Sequence, residues 1–76
     1  SGKEIFYGDM ADAYVIKFTV LTETKEDKIP EKVTVQLLKS DTQLPNKDRV
    51  VKETAKENFF DALDVGFVWL ERALKN

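Results

Sequence analysis

The sequence predicts a small α+β domain: a three- or four-stranded antiparallel meander with one C-terminal helix packed on one face, in the order (β)βββα. Three observations lead to this prediction. Residues 13–24 and 32–40 each alternate apolar and polar side chains, as half-buried strands do. The charged, proline-containing segment 25–31 between them is typical of an exposed hairpin loop. Residues 58–76 carry large apolar side chains at helical spacing.

The two alternating segments are predicted to turn one set of side chains toward a common core. Strand side chains point to opposite faces with a period of two. The residues predicted to point inward are Tyr14, Ile16, Phe18, Val20, Val33, Val35 and Leu37. Those predicted to point outward are Lys17, Thr19, Glu23, Thr34, Gln36 and Ser40.

The elements at either side of this pair are less regular. Residues 4–7 are expected to form a short extra strand, with Gly8-Asp9 beginning the turn into the next one. The two valines of residues 49–54 favour a strand there, through about Glu53. The helix is expected to begin between Thr54, which opens a capping-box pattern, and Asn58, a competing N-cap.

Six large apolar residues of the helix fall within about 100° of arc. We therefore expect the core-facing stripe to consist of Phe59, Phe60, Leu63, Phe67, Leu70 and Leu74. A strip of small residues lies beside it, formed by Ala62, Gly66 and Ala73, and both the protein's own sheet and a partner could pack closely there. Interfaces are enriched in tryptophan and arginine, so the further flank is the candidate protein interface: Val65, Val68, Trp69 and Arg72.

A chain of 76 residues is expected to be one domain, spanning residues 1–76, with Ser1-Gly2 a remnant of an expression vector. So short a chain buries only about 60 % of its unfolded surface and commonly needs additional stabilisation. The sequence has no cysteine and no histidine, which excludes disulfides and the commonest metal ligands. We therefore expect a homodimer, or a complex with one protein partner.

The composition argues against an enzyme. Without histidine or cysteine, the commonest general base and the thiol nucleophile are missing. No glycine-rich phosphate motif occurs, Asp61 and Asp64 are expected to solvate the helix, and Asp9 and Asp12 fit a polar turn better than a calcium loop. We expect no catalytic residue, no cofactor and no metal. No apolar run approaches the roughly 18 residues of a membrane span, so no membrane partner is expected, and the cysteine-free composition favours the cytoplasm.

The alternative function is nucleic-acid binding. Residues 32–56 hold six basic against three acidic residues, a net charge of +3 in a chain of net charge −2. The candidate contacts are Lys32, Lys39, Lys47, Arg49 and Lys52. The element order is loosely similar to that of the PUR and Whirly nucleic-acid-binding folds, a likeness of topology alone. Because no aromatic residue occupies the outward positions of the two long strands, we favour a small non-enzymatic interaction module that self-associates through the C-terminal helix.

Overall fold

The computed structural model describes residues 2–22 and 31–75. Their elements are β1 (Gly2–Tyr7), β2 (Tyr14–Thr22), β3 (Glu31–Lys39), α1 (Asn46–Arg49), β4 (Val50–Lys56) and α2 (Phe59–Lys75). The four strands form one antiparallel sheet and α2 packs on one of its faces, which confirms the predicted α+β class. Most of the predicted hairpin loop 25–31, and the outward position Glu23, lie outside the described residues.

The sheet is a meander with the strand order β1-β2-β3-β4. Residues 4–7 do form a strand, and it extends back to Gly2. Residues 49–54 divide between two elements, because the short helix α1 ends at Arg49 before β4 begins. In the pairing of β3 with β4, Leu37 lies opposite Lys52 and Leu38 opposite Val50. The extra residue Val51 is thus a bulge at the start of β4.

The predicted alternation of the long strands is confirmed. Buried residues of β2 and β3 on the side of α2 form the core, namely Ile16, Phe18, Val33, Val35 and Leu37. Tyr14 and Val20 are half-buried and pack against this cluster. Val15 and Leu38 are also buried, although they lie on the other face of the sheet, opposite each other in register.

The turn between β1 and β2 begins at Gly8-Asp9, as expected. Gly8 has a φ of 121°, a conformation that side-chain-bearing residues rarely adopt. The Asp9 carboxylate accepts a hydrogen bond from the Ala11 backbone N–H at 2.9 Å, and the Asp12 N–H donates to the Asp9 carbonyl at 2.8 Å. The Ser40 hydroxyl donates to the Asp12 carbonyl, which ties this turn to the end of β3.

Asn58, and not Thr54, caps helix α2. The Asn58 side-chain oxygen accepts a hydrogen bond from the Asp61 N–H at 2.9 Å, and its Nδ2 donates to the Asp61 carboxylate at 3.1 Å. This reciprocal pair satisfies a backbone donor that the first turn of a helix otherwise leaves free. Thr54 instead lies within β4, opposite Val35. Of the two candidate starts of the helix, Asn58 is therefore the one observed, because the strand pairing continues through Lys56.

The predicted core face of α2 is right for three of its six residues: Leu70 is buried, and Phe59 and Leu63 pack against the core cluster. Phe60, Phe67 and Leu74 are instead exposed, and Ala62 and Gly66 are buried. A Cβ atom on Gly66 would lie only 2.6 Å from Cζ of Phe18, so the large core side chains already come from the sheet. The helix therefore turns its small strip inward, about 70° around its axis from the predicted orientation. Of the two open readings of that strip, close packing on the protein's own sheet is the one observed.

Candidate interaction surfaces

The rotation of α2 leaves large apolar side chains on one side of the helix. Phe60 is 79 % exposed, Phe67 42 % and Leu74 41 %, and they follow one another at seven-residue intervals. Tyr7 at the end of β1 is 49 % exposed, and its ring centroid lies 4.8 Å from that of Phe67. These four residues are called the apolar ridge below. A groove of about 290 Å³ lies beside Tyr7, Phe67 and Leu74, and Leu70 and Glu71 also line it.

The apolar ridge runs beside a free sheet edge. Helix α2 packs on β3 and β2, and less on β4, so β1 lies beside the helix rather than beneath it. Within the described chain, β1 pairs with β2 alone and its other edge carries no strand. Such an edge presents unpaired backbone donors and acceptors. Apolar side chains and free backbone groups therefore occur on the same side of the molecule.

The predicted interface residues Val65, Val68, Trp69 and Arg72 differ in burial and in what they contact. Val65 and Trp69 are half-buried and pack against the core cluster. The Nζ of Lys52 lies 5.7 Å from the Trp69 ring centroid, and Trp69 and Arg72 line a cleft of about 330 Å³ beside β4. Val68 is 43 % exposed and lies outside that lining.

The predicted nucleic-acid contacts Lys32, Lys39, Lys47, Arg49 and Lys52 also divide between surfaces. Lys52 lies opposite Leu37, on the side of the sheet that carries α2. Lys32 lies opposite Leu21 and has the same parity along β3 as the outward residues. Lys47 and Arg49 belong to α1, and the Arg49 Nε donates a hydrogen bond to the Lys39 carbonyl at 2.9 Å.

The face of the sheet away from α2 carries a second feature, called the outer cleft below. It has a volume of about 180 Å³, and its lining includes Phe6, Lys17, Gln36, Asn46 and Arg49. Phe6 is 58 % exposed and lies directly opposite Lys17 in the β1–β2 register. Sequence reasoning missed this aromatic because it left the first strand uncertain. Once Ile5 is assigned inward, strand alternation turns Phe6 outward.

The charged neighbours of the outer cleft are partly paired with one another. The Lys17 ammonium lies 3.5 Å from a carboxylate oxygen of Glu4. The Gln36 amide donates a hydrogen bond to the Glu53 carboxylate at 3.2 Å. By strand parity the basic residues of this face are Lys17 and Lys32, with Arg49 at its rim. The two lysines balance Glu4 and Glu53, so the excess positive charge comes from Arg49, whereas the exposed acids Asp61, Asp64 and Glu71 lie on α2, on the other side of the sheet.

Two other kinds of site are not found in residues 2–22 and 31–75. No group of three or more histidine, cysteine, aspartate or glutamate side chains is placed to hold a metal ion there. Neither described helix has the length and hydrophobicity that crossing a bilayer requires. Comparisons of the chain with protein families, curated proteins and solved structures find no match.

Proposed function

We propose that this protein is a non-enzymatic interaction module that self-associates as a homodimer through its C-terminal helix. The observation that supports this most strongly is the apolar ridge, in which Phe60 is 79 % exposed and three further large side chains are more than two-fifths exposed. Single exposed apolar residues are ordinary on a protein surface. Several large ones on the same side of one helix are more typical of an interface.

The ridge suits a second copy of the same chain. A two-fold axis near Phe67 would place Phe60 of one copy against Leu74 of the other, so that each copy buries the same surface. The two helices would then run antiparallel with opposed dipoles. The self-complementary surface and the opposed dipoles are both compatible with a symmetric pair.

The free edge of β1 enlarges the same surface. Stable protein interfaces bury about 1,200–2,000 Å² in total, which is more than one ridge of a 17-residue helix supplies alone. Because β1 lies beside the ridge, its backbone and Tyr7 can contact the second copy together with α2. We therefore propose an interface that combines the α2 ridge with the β1 edge.

The experiment is a measurement of molar mass by light scattering coupled to size exclusion, over micromolar to millimolar concentrations. Wild type is expected at twice the 8.7 kDa monomer mass. Phe60→Gln should be a folded monomer. Each buried aromatic contributes about 1.5–3 kcal/mol to association, and a symmetric interface contains Phe60 from both copies. The expected loss in affinity is therefore about a hundredfold or more.

Phe6→Gln is the matched control for this experiment. Phe6 is also a largely exposed aromatic, but it lies on the opposite face of the sheet. We expect Phe6→Gln to remain a dimer. A wild-type monomer at millimolar concentration, or a Phe60→Gln variant that dimerises as well as wild type, would contradict the proposed function.

We further propose that the module acts in a reducing compartment such as the cytoplasm. The support is the complete absence of cysteine from its 76 residues, since small domains in oxidising compartments commonly rely on disulfides. Fractionation of source cells with an antibody against the chain checks this. Recovery in a secreted or periplasmic fraction would contradict it.

A further inference from the structure

The outer cleft combines an exposed aromatic ring with basic side chains. Phe6 is 58 % exposed, and the outer face of the sheet beside it holds Lys17, with Arg49 across the cleft. An aromatic side chain on an open sheet surface can stack on any nucleobase, because every base has a π-face. Lysine and arginine supply the complementary charge for phosphates. The amides of Gln36 and Asn46 add hydrogen-bonding groups in the same cleft.

We propose that the outer cleft binds single-stranded nucleic acid, with one base stacked on Phe6 and neighbouring phosphates held by Lys17 and Arg49. The strand must be single because a duplex keeps its base faces stacked inside the helix. The cleft, of about 180 Å³, is large enough to admit a base. Arg49 is held at the rim by the 2.9 Å hydrogen bond from its Nε to the Lys39 carbonyl.

The outer face carries less negative charge than the chain as a whole, whose net charge is −2. By strand parity Lys17 and Lys32 balance Glu4 and Glu53, and Arg49 in the cleft adds one positive charge. Part of the positive charge of this face is restrained, since Glu4 lies 3.5 Å from the Lys17 ammonium. The carboxylate of Glu4 therefore competes with a phosphate for Lys17, and its removal should strengthen binding.

This site and the proposed dimer interface both involve β1, but they use different sides of that strand. The apolar ridge belongs to α2 and to the helix side of β1, whereas Phe6 and Lys17 lie on the opposite face of the sheet. A dimer formed through the ridge would leave both outer clefts open. Loss of dimerisation in Phe60→Gln should therefore leave the affinity of each cleft unchanged, and the two proposals can fail independently.

The experiment is fluorescence anisotropy of a dye-labelled oligothymidylate of about ten nucleotides, titrated with the full chain at low salt. Wild type should bind, and the logarithm of its affinity should fall with the logarithm of salt concentration with a slope near −1.4, about −0.7 for each of two phosphates. Phe6→Ala should weaken binding about 5- to 150-fold, the loss of one stacked base. Phe60→Ala is the aromatic control and should bind as wild type does.

A second pair of variants is independent of the stacking contact. Glu4→Gln should tighten binding by releasing Lys17, whereas Glu71→Gln makes the same change of charge on α2 and should have a much smaller effect. Circular dichroism confirms that each variant is folded. The proposal is overturned if wild type does not bind at low salt, if Phe6→Ala binds as tightly as wild type, or if a duplex of the same length binds equally well.

Discussion

Replacing Gly66 with alanine tests the close packing of α2 on the sheet. In an open helix this change stabilises by about 1 kcal/mol, because glycine loses more backbone entropy on folding. Here the new Cβ would lie 2.6 Å from Cζ and 2.9 Å from Cε1 of Phe18, and 3.2 Å from Cγ2 of Ile16. The Phe18 ring is only 1 % exposed and packs edge-on against Phe59, so it has little room to move.

Two contributions of opposite sign therefore determine the change in the free energy of unfolding. Overpacking a buried site costs about 1–3 kcal/mol, and the gain in helix propensity offsets about 1 kcal/mol of it. We expect Gly66→Ala to be destabilising by up to about 2 kcal/mol. The assay is urea unfolding followed by circular dichroism, at one protein concentration for every variant because self-association would raise the apparent stability.

A double-mutant cycle with Phe18→Leu isolates the contact. Leucine lacks the ring atoms that a Cβ on Gly66 would meet, so Gly66→Ala should cost much less, or even stabilise, in that background. The reasoning is refuted if Gly66→Ala alone stabilises the protein by about 1 kcal/mol. It is refuted equally if the effect is the same with phenylalanine and with leucine at position 18.

Two further variants test local structure by the same urea assay. Asn58→Ala removes the cap whose oxygen accepts from the Asp61 N–H at 2.9 Å, and should cost about 1 kcal/mol, whereas Asn58→Ser should retain most of the stability. Gly8→Ala forces a side-chain-bearing residue to a φ of 121° and should cost about 1–3 kcal/mol. An unchanged unfolding midpoint for Asn58→Ala would contradict the capping role of Asn58, and one for Gly8→Ala would contradict the need for glycine at position 8.

The sheet could be predicted well because its signal is local. Alternation in β2 and β3 places Ile16, Phe18 and Val35 inward whatever the rest of the chain does, since strand side chains must alternate. The first strand was predicted less firmly because its alternation covers few residues. With that strand uncertain, Phe6 could not be assigned to a face, and the outer cleft was missed.

The helix face could not be predicted from periodicity alone. The angular pattern shows where large residues cluster, but not how much space the opposing surface leaves. In this protein Phe18 and Ile16 rise from the sheet and fill that space, so Gly66 and Ala62 face the core. The same volume constraint leaves Phe60 exposed. The candidate interface therefore moves from the Trp69 flank to the apolar ridge.

The first residue of α2 likewise could not be predicted from the local sequence alone. Thr54 and Asn58 both begin plausible capping patterns, and the sequence alone does not rank them. Strand pairing decides between them, because Thr54 lies opposite Val35 and the β3–β4 ladder continues to Lys56. Asn58 is the first capping residue beyond the ladder. Long-range pairing therefore overrides a local signal of similar strength.

Paramagnetic broadening between copies tests most directly whether the apolar ridge joins two copies of the chain. Because the sequence contains no cysteine, Lys75→Cys provides a single site for a spin label at the exposed end of α2. The labelled chain is mixed with an unlabelled, ¹⁵N-enriched wild-type chain, so that any broadening comes from a neighbouring copy. An antiparallel pair centred on Phe67 should broaden the amide resonances of Phe60 and Asp61 in the first turn of the helix. No broadening between copies, or broadening confined to the Lys75 end, would contradict the proposed dimer.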